Sequence, residues 1–367
     1  MSKRIGVGFI GANVSHGWGG AVHIPALRLV PELELVAVCN TSQQNASAAA
    51  EAFGASQAFC DPAALAASPE VGLVVVCVRA PNHYPLVKAA LDAGKPVYCE
   101  WPLGRTTAEA EALAALARAN GVPNVVGLQS RAAPIVNRMR DLVAEGYVGR
   151  VLSCSILGSA PTWGAVVDPH YRATADADQG ITLLRVSGAH ALDLMLYCLG
   201  EFSELTAFIS TQRDRVTVAG SGECIAQTSP DQVLVQGRLQ SGAMASYHMR
   251  GGMAAGSGQL FEINGTEGDL ILSTPELSAF QNADSQLRGS RGGAPMEVLP
   301  VPDSYRTIGR GAPPGRIANV AELYARIARD LAAGSPLVPD FDLAVRRHHT
   351  LEAIQRAART GMKQAVD

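Results

Sequence analysis

The chain has 367 residues, 47% of them hydrophobic and 17% charged, with 37 glycines and a formal net charge of -3. One hydrophobic core stops growing at roughly 250 to 300 residues, so two domains are expected. Lys and Arg are scattered singly and the pI is near 6.3, which excludes a basic footprint for nucleic acid or an anionic membrane surface; no apolar run reaches membrane-span length.

In chain order, the first third alternates strand and helix signals. Strand runs at 5–10, 33–39, 58–59, 72–78, 96–99 and 125–128 are separated by helical patterns at 23–30, 44–53, 62–67, 84–93 and 107–120. The run Val74-Val75-Val76-Cys77-Val78 reads as a strand buried on both faces, and Gly94 and Gly121 stop the helices before them. This alternation predicts a doubly wound parallel sheet, an α/β Rossmann domain over residues 1–128.

Residues 129–367 have a different texture and are expected to form an α+β domain that binds substrate and mediates oligomerisation. A helix at 134–145 leads into strand runs at 151–158, 205–211, 232–239, 244–249, 259–264 and 269–272, interrupted by a helix at 188–199. A large, mostly antiparallel open sheet fits them. The Gly-, Pro-, Arg- and Ser-rich stretch 282–314 is expected as a mobile surface excursion. Helices at 317–333 and 341–360 close the chain and are candidates to pack back on the first domain. Seven cysteines without a C-x-x-C pair, and an N-terminus that enters a strand rather than a signal peptide, point to the cytoplasm.

The first strand runs into Gly11-Ala12-Asn13-Val14-Ser15-His16-Gly17-Trp18 and then a helix, the place of a Rossmann phosphate turn. Gly11 suits the tight turn; Asn13 stands at the second glycine position and is expected to reach positive φ there; His16 beside Gly17 stands at the third. Gly11, Asn13, Ser15, His16 and Trp18 are the candidate cofactor contacts of this turn. The second strand ends in Asn40-Thr41-Ser42 without a carboxylate, so nothing repels a 2′-phosphate and NADP is expected ahead of NAD. Arg79, His83, Glu100, Trp101 and Gln129, at the ends of later strands, complete the cofactor set.

Gly8-x-x-Gly11, His83 before a helix ending Gly94-Lys95, Glu100-Trp101-Pro102, and Gly188-x-His190-x-x-Asp193 together resemble the glucose-fructose oxidoreductase and inositol dehydrogenase family over nearly the whole chain. The resemblance runs to the branch that includes the fungal galactose-regulon repressor, through Asn13, Gly17-Trp18, Glu100-Trp101 and Gln129-x-Arg131. It implies hydride transfer between a nicotinamide dinucleotide and a sugar, glycoside or polyol, and a homodimer or homotetramer. In that family a lysine and an aspartate assist a histidine; here those positions are Trp101 and Val186.

His190 keeps the family's acid/base position and has a side chain suited to that task. Tyr171 is the second catalytic candidate, and Trp101, Arg131, Trp163, Tyr171, Arg185 and His190 form the candidate substrate set. Trp101 offers an indole face for stacking. No metal site is expected, since the eight histidines show no ligand spacing. The alternatives are a non-catalytic NADP-binding sensor that partners another protein, and a C=C or C=N reductase.

Overall fold

The structure, a computed structural model, describes residues 4–15, 17–252, 258–274, 279–282, 284–309, 312–313 and 315–366. The chain divides into two compact units, Met1–Ala132 with Arg306–His348, and Ala133–Tyr305 with His349–Asp367. The chain leaves the first unit after Ala132 and returns to it at Arg306–His348.

The first unit begins with β1 (Ile5–Ile10), α1 (Ile24–Leu27), β2 (Leu33–Cys39), α2 (Gln43–Phe53), β3 (Gln57–Phe59) and α3 (Pro62–Ala67). It continues with β4 (Leu73–Val76), α4 (His83–Asp92), β5 (Val97–Glu100), α5 (Thr107–Asn120) and β6 (Asn124–Gly127). The strands form one parallel sheet in the order β3-β2-β1-β4-β5-β6, as the alternation predicts. Local chemistry sets the helix ends: Ser42 and Thr106 accept the Asn45 and Glu109 N–H groups as N-caps, and Gly54 and Gly121 take left-handed φ at the C-caps. The first helix departs from expectation. A π-helical turn, Gly19–His23, precedes the short α1, so the helical segment starts four residues earlier than residue 23.

The second unit holds α6 (Pro134–Ala144), β7 (Val151–Ala160), β8 (Val166–Val167), α7 (Ala189–Leu199), β9 (Phe202–Ser210), β10 (Arg215–Val218) and β11 (Cys224–Ala226). Then come β12 (Gln232–Leu239), β13 (Met244–Gly251), β14 (Gln259–Gly265), β15 (Gly268–Thr274), β16 (Gln286–Arg291) and β17 (Glu297–Val298). Its large sheet runs β17-β16-β15-β14-β7-β13-β12-β9, closed at the edge by β18 (Gln364–Ala365). Pairing is mostly antiparallel, with β7 and β13 parallel. The long excursion between those two strands supplies the crossover that a parallel pair requires.

The stretch 282–314, expected as a surface excursion, instead carries β16 and β17. Leu287 is buried, and a Cβ on Gly289 would lie 2.7 Å from Leu299 Cδ1, so that glycine serves packing rather than a turn. A small sheet, β11-β10-β8, stands apart on its own cluster of Val167, Ala175, Val216 and Val218.

The chain returns to the first unit as α8 (Arg316–Ala333) and enters α9 (Phe341–Thr360). Val320, Leu323, Tyr324 and Ile327 of α8 are buried in one core with Val7, Phe9 and Val22. No helix among the described residues is long and apolar enough to cross a membrane.

Candidate functional site

At the carboxyl end of β1 the chain turns at Gly11, whose φ is +99°. A Cβ there would lie 2.3 Å from the Cys77 carbonyl oxygen, so only glycine fits. Asn13 does not take positive φ: among the described residues only glycines do. Its Oδ1 instead accepts the Ser15 N–H at 2.9 Å and the Ser15 hydroxyl at 3.0 Å, an Asx turn that shapes the loop without left-handed backbone. His16 lies outside the described residues.

Gly17 (φ +95°) takes the next left-handed position, and two further glycines bring the helical turn against the loop. A Cβ on Gly19 would sit 3.0 Å from the Gly11 carbonyl oxygen, and one on Gly20 would sit 2.3 Å from that of Asn13. The sequence reading missed both, although the run Gly17-Trp18-Gly19-Gly20 carried the signal. Trp18 is half-buried, and its Nε1 has no hydrogen-bond partner among the described residues.

At the end of β2, Asn40 Nδ2 donates to the Ala12 and Asn45 carbonyls at 2.9 and 3.3 Å, tying the turn to α2. Ser42 caps α2, and Thr41 and Ser42 are exposed. Arg79 is exposed ahead of the short turn Ala80–Asn82. His83 is buried, with Nδ1 2.7 Å from the Pro102 carbonyl and Nε2 3.0 Å from that of Val78. Burial holds its pKa below the ordinary value, against the raising effect of those carbonyls. Both ring nitrogens are turned toward backbone, so His83 fixes the neighbouring loops rather than presenting a nitrogen to a cofactor.

Glu100 ends β5 at the centre of a buried polar chain that the sequence did not reveal. The Tyr98 hydroxyl donates to Glu100 Oε1 at 2.5 Å. His23 Nε2 lies 3.3 Å from the same oxygen, without the alignment of a formed hydrogen bond, and His23 Nδ1 meets the Tyr324 hydroxyl at 2.6 Å. Burial, then the Glu100 charge, push the Tyr98 phenol well up; burial does the same for Tyr324. Gly127, register partner of Glu100, makes the space: a Cβ there would lie 2.4 Å from Glu100 Oε1.

Trp101, joined to Pro102 by a cis peptide bond, is 5% exposed, and its ring lies 5.2 Å from that of His348. That corrects the expected open stacking surface: the indole is covered. Gln129 and Ser130 are buried, and Gln129 Oε1 and Ser130 Oγ have no hydrogen-bond partner among the described residues. The Arg131 carbonyl accepts from Arg326 Nη1 at 2.9 Å, and the Arg131 side chain is half-buried.

In the second unit His190 is buried one residue into α7, with Asp193 buried on the same helix. Before it runs the π-helical turn Leu184–Gly188, fixed by the Tyr247 hydroxyl donating to the Gly188 carbonyl at 3.0 Å. That turn carries Arg185, whose pKa burial lowers against the opposing charge of Glu352, and Val186. Trp163 is buried, whereas Tyr171 is 51% exposed. Among the described residues no group of three or more His, Cys, Asp or Glu side chains could hold a metal ion.

The first unit's residues fit a dinucleotide. The β1 turn closes at Gly11, Gly17, Gly19 and Gly20 with Ser15 exposed, and the buried polar atoms of Trp18 in that turn and of Gln129 and Ser130 after β6 have no hydrogen-bond partner among the described residues.

Comparison with known proteins agrees. Residues 5–128 match the description "Oxidoreductase family, NAD-binding Rossmann fold", and residues 134–274 match "Gal80p, C-terminal domain". The chain is 38% identical over 216 residues to dehydrogenase aclE of Aspergillus oryzae, covering 57% of this chain and 59% of that one. It is 28% identical to D-apiose dehydrogenase of Paraburkholderia graminis, over 80% of this chain and 75% of the relative. The structure of a super-repressor mutant of Gal80p from Saccharomyces cerevisiae superposes with a TM-score of 0.88 at 23% identity, over 100% and 98% of the two chains. The match spans 59% of the Aspergillus relative's length, and 66% and 64% of two yeast regulatory relatives.

Proposed function

Since the first domain belongs to the oxidoreductase family with an NAD-binding Rossmann fold and the second is of the Gal80p C-terminal type, we propose that this protein binds NADP or NAD and oxidises or reduces a sugar, glycoside or polyol. The observation that carries the reading is the glycine-closed turn above strand ends that hold unsatisfied buried polar atoms, beside similarity to dehydrogenases.

Ser15 and the backbone of Gly11 to Trp18 would hold the pyrophosphate; Asn40, Thr41 and Ser42 the adenosine ribose; Arg79, Glu100 and Gln129 the nicotinamide half. When bound, the dinucleotide supplies hydride acceptance or donation. His190 is the proposed proton acceptor for the substrate hydroxyl, and Tyr171, Trp163, Arg185 and Arg131 are the proposed substrate contacts. Tyr171 is exposed, which suits contact with a polar ligand. Self-association is supported by Phe208 and Leu234, register partners on β9 and β12 that both expose apolar side chains. A reducing, cytoplasmic setting fits the free cysteines.

A second reading, a dinucleotide-binding regulator without turnover, is favoured by Trp101 packing against His348 and by the resemblance, which would put a lysine at Trp101 and an aspartate at Val186.

Titration with NADPH and NADH, followed by tryptophan fluorescence, tests binding; a panel of sugars and 3-keto sugars, followed at the reduced-nicotinamide band, tests turnover. Turnover that falls by about 10²- to 10⁴-fold in His190→Ala with binding intact supports the enzyme. Tight binding with no turnover favours the regulator, and no binding of either cofactor rejects both.

A further inference from the structure

We propose that His23 and Tyr324 are positioning residues for Glu100: through them α8, contributed by the end of the chain, sets how the Glu100 carboxylate is presented to the dinucleotide. The inference deepens the proposed function and rests on its dinucleotide-binding part.

His23 is fully buried between the rings of Phe9 (centroids 5.6 Å apart), Tyr98 (5.5 Å) and Tyr324 (5.6 Å), each met edge-on. A histidine in such a cage is expensive to bury unless its nitrogens are used. Here the Tyr324 hydroxyl meets Nδ1, which leaves Nε2 facing Glu100 Oε1. In the tautomer whose Nδ1 accepts from the Tyr324 hydroxyl, the ring proton is on Nε2, the nitrogen nearest Glu100 Oε1. The Tyr98 hydroxyl donates to the same oxygen.

The Tyr98 hydroxyl thus holds one carboxylate oxygen from the buried side and His23 Nε2 lies 3.3 Å from it, while the Glu100 side chain remains 13% exposed at the end of its strand. In a parallel α/β sheet that is the end where ligands bind. Gly127 completes the socket, because any side chain there would push into the gripped oxygen.

The test compares His23→Gln, His23→Leu and Tyr324→Phe in the full chain, measuring NADPH and NADH dissociation constants and thermal midpoints together. Gln places a donor near the Nε2 position; Leu has none. We expect the dissociation constant to rise at least fivefold in His23→Leu and Tyr324→Phe, and to stay within twofold of wild type in His23→Gln, whatever the midpoints do. Equal dissociation constants for all folded variants overturn the proposal and leave a structural histidine. If His23→Leu does not fold, Tyr324→Phe, which removes one oxygen atom, decides alone: an unchanged constant overturns the proposal. Failure of the wild type to bind either cofactor overturns this inference together with the proposed function, whereas binding that is indifferent to the variants overturns only this one.

Discussion

Gly11 and Cys77 approach so closely that a single added carbon cannot be placed between them: a Gly11 Cβ would fall 2.3 Å from the Cys77 carbonyl oxygen, with φ at +99°. Gly11→Ala therefore combines a forbidden backbone region with a clash against main chain that has no rotamer to yield. We expect a loss of about 2 to 4 kcal/mol of stability and weakened dinucleotide binding. Chemical denaturation checks the first, and a variant as stable as wild type refutes it. Gly17→Ala is the control, since none of the described residues lies within 4 Å of its added carbon and its φ of +95° opposes the change.

Asn40 predicts the cofactor preference. Its Nδ2 donates to Ala12 and Asn45 carbonyls, so the position is neutral and already oriented by the turn. Asn40→Asp removes those donations and places a negative charge where the proposed function puts the adenosine ribose and any 2′-phosphate on it. The ratio of NADPH to NADH affinity should fall by about tenfold, or about 1.4 kcal/mol. A ratio that does not move would show that the end of β2 does not face the adenosine ribose.

His83 gives a pH dependence with a definite sign. Its pKa is held below the ordinary 6.5 by burial, so the unfolded chain takes up the proton first. Its contribution is present above about pH 6.5 and is lost as pH falls through the depressed folded value. Between pH 7 and 5 the stability of wild type should decline more steeply than that of His83→Gln, by up to about 1.4 kcal/mol per pH unit. The other histidines are common to both proteins and cancel in the difference. Parallel curves would mean that His83 titrates alike in both states.

What the sequence revealed follows from how local each signal is. α5 was readable to the residue because Thr106, Glu109 and Gly121 punctuate it within the helix itself. The parallel sheet was readable because buried strands such as Leu73–Val76 are continuous apolar runs. β8, at two residues, and β11, at three, are too short for alternation to appear. β16 was hidden because Gly289 and its charged neighbours look like loop, although the glycine is where Leu299 and Tyr147 close in.

The site divides the same way. The turn was legible from Gly11 and its strand, whereas the φ of Asn13 was not, since an Asx turn and positive φ are equally open to asparagine in sequence. Trp101 looked available for stacking because a sequence does not show His348 lying against it. The Tyr324, His23 and Glu100 chain joins residues from both ends of the chain and no motif records it.

The return of α8 to the first unit has a consequence for synthesis. The strands of the Rossmann sheet are made by residue 127, but Val320, Leu323, Tyr324 and Ile327 of the same core follow only after Ala133–Tyr305 of the second unit. The Rossmann unit therefore cannot complete its core until Ala133–Tyr305 of the second unit has been made. Until α8 arrives its apolar face is unsealed, and a nascent chain stalled before residue 316 should be a client for chaperones.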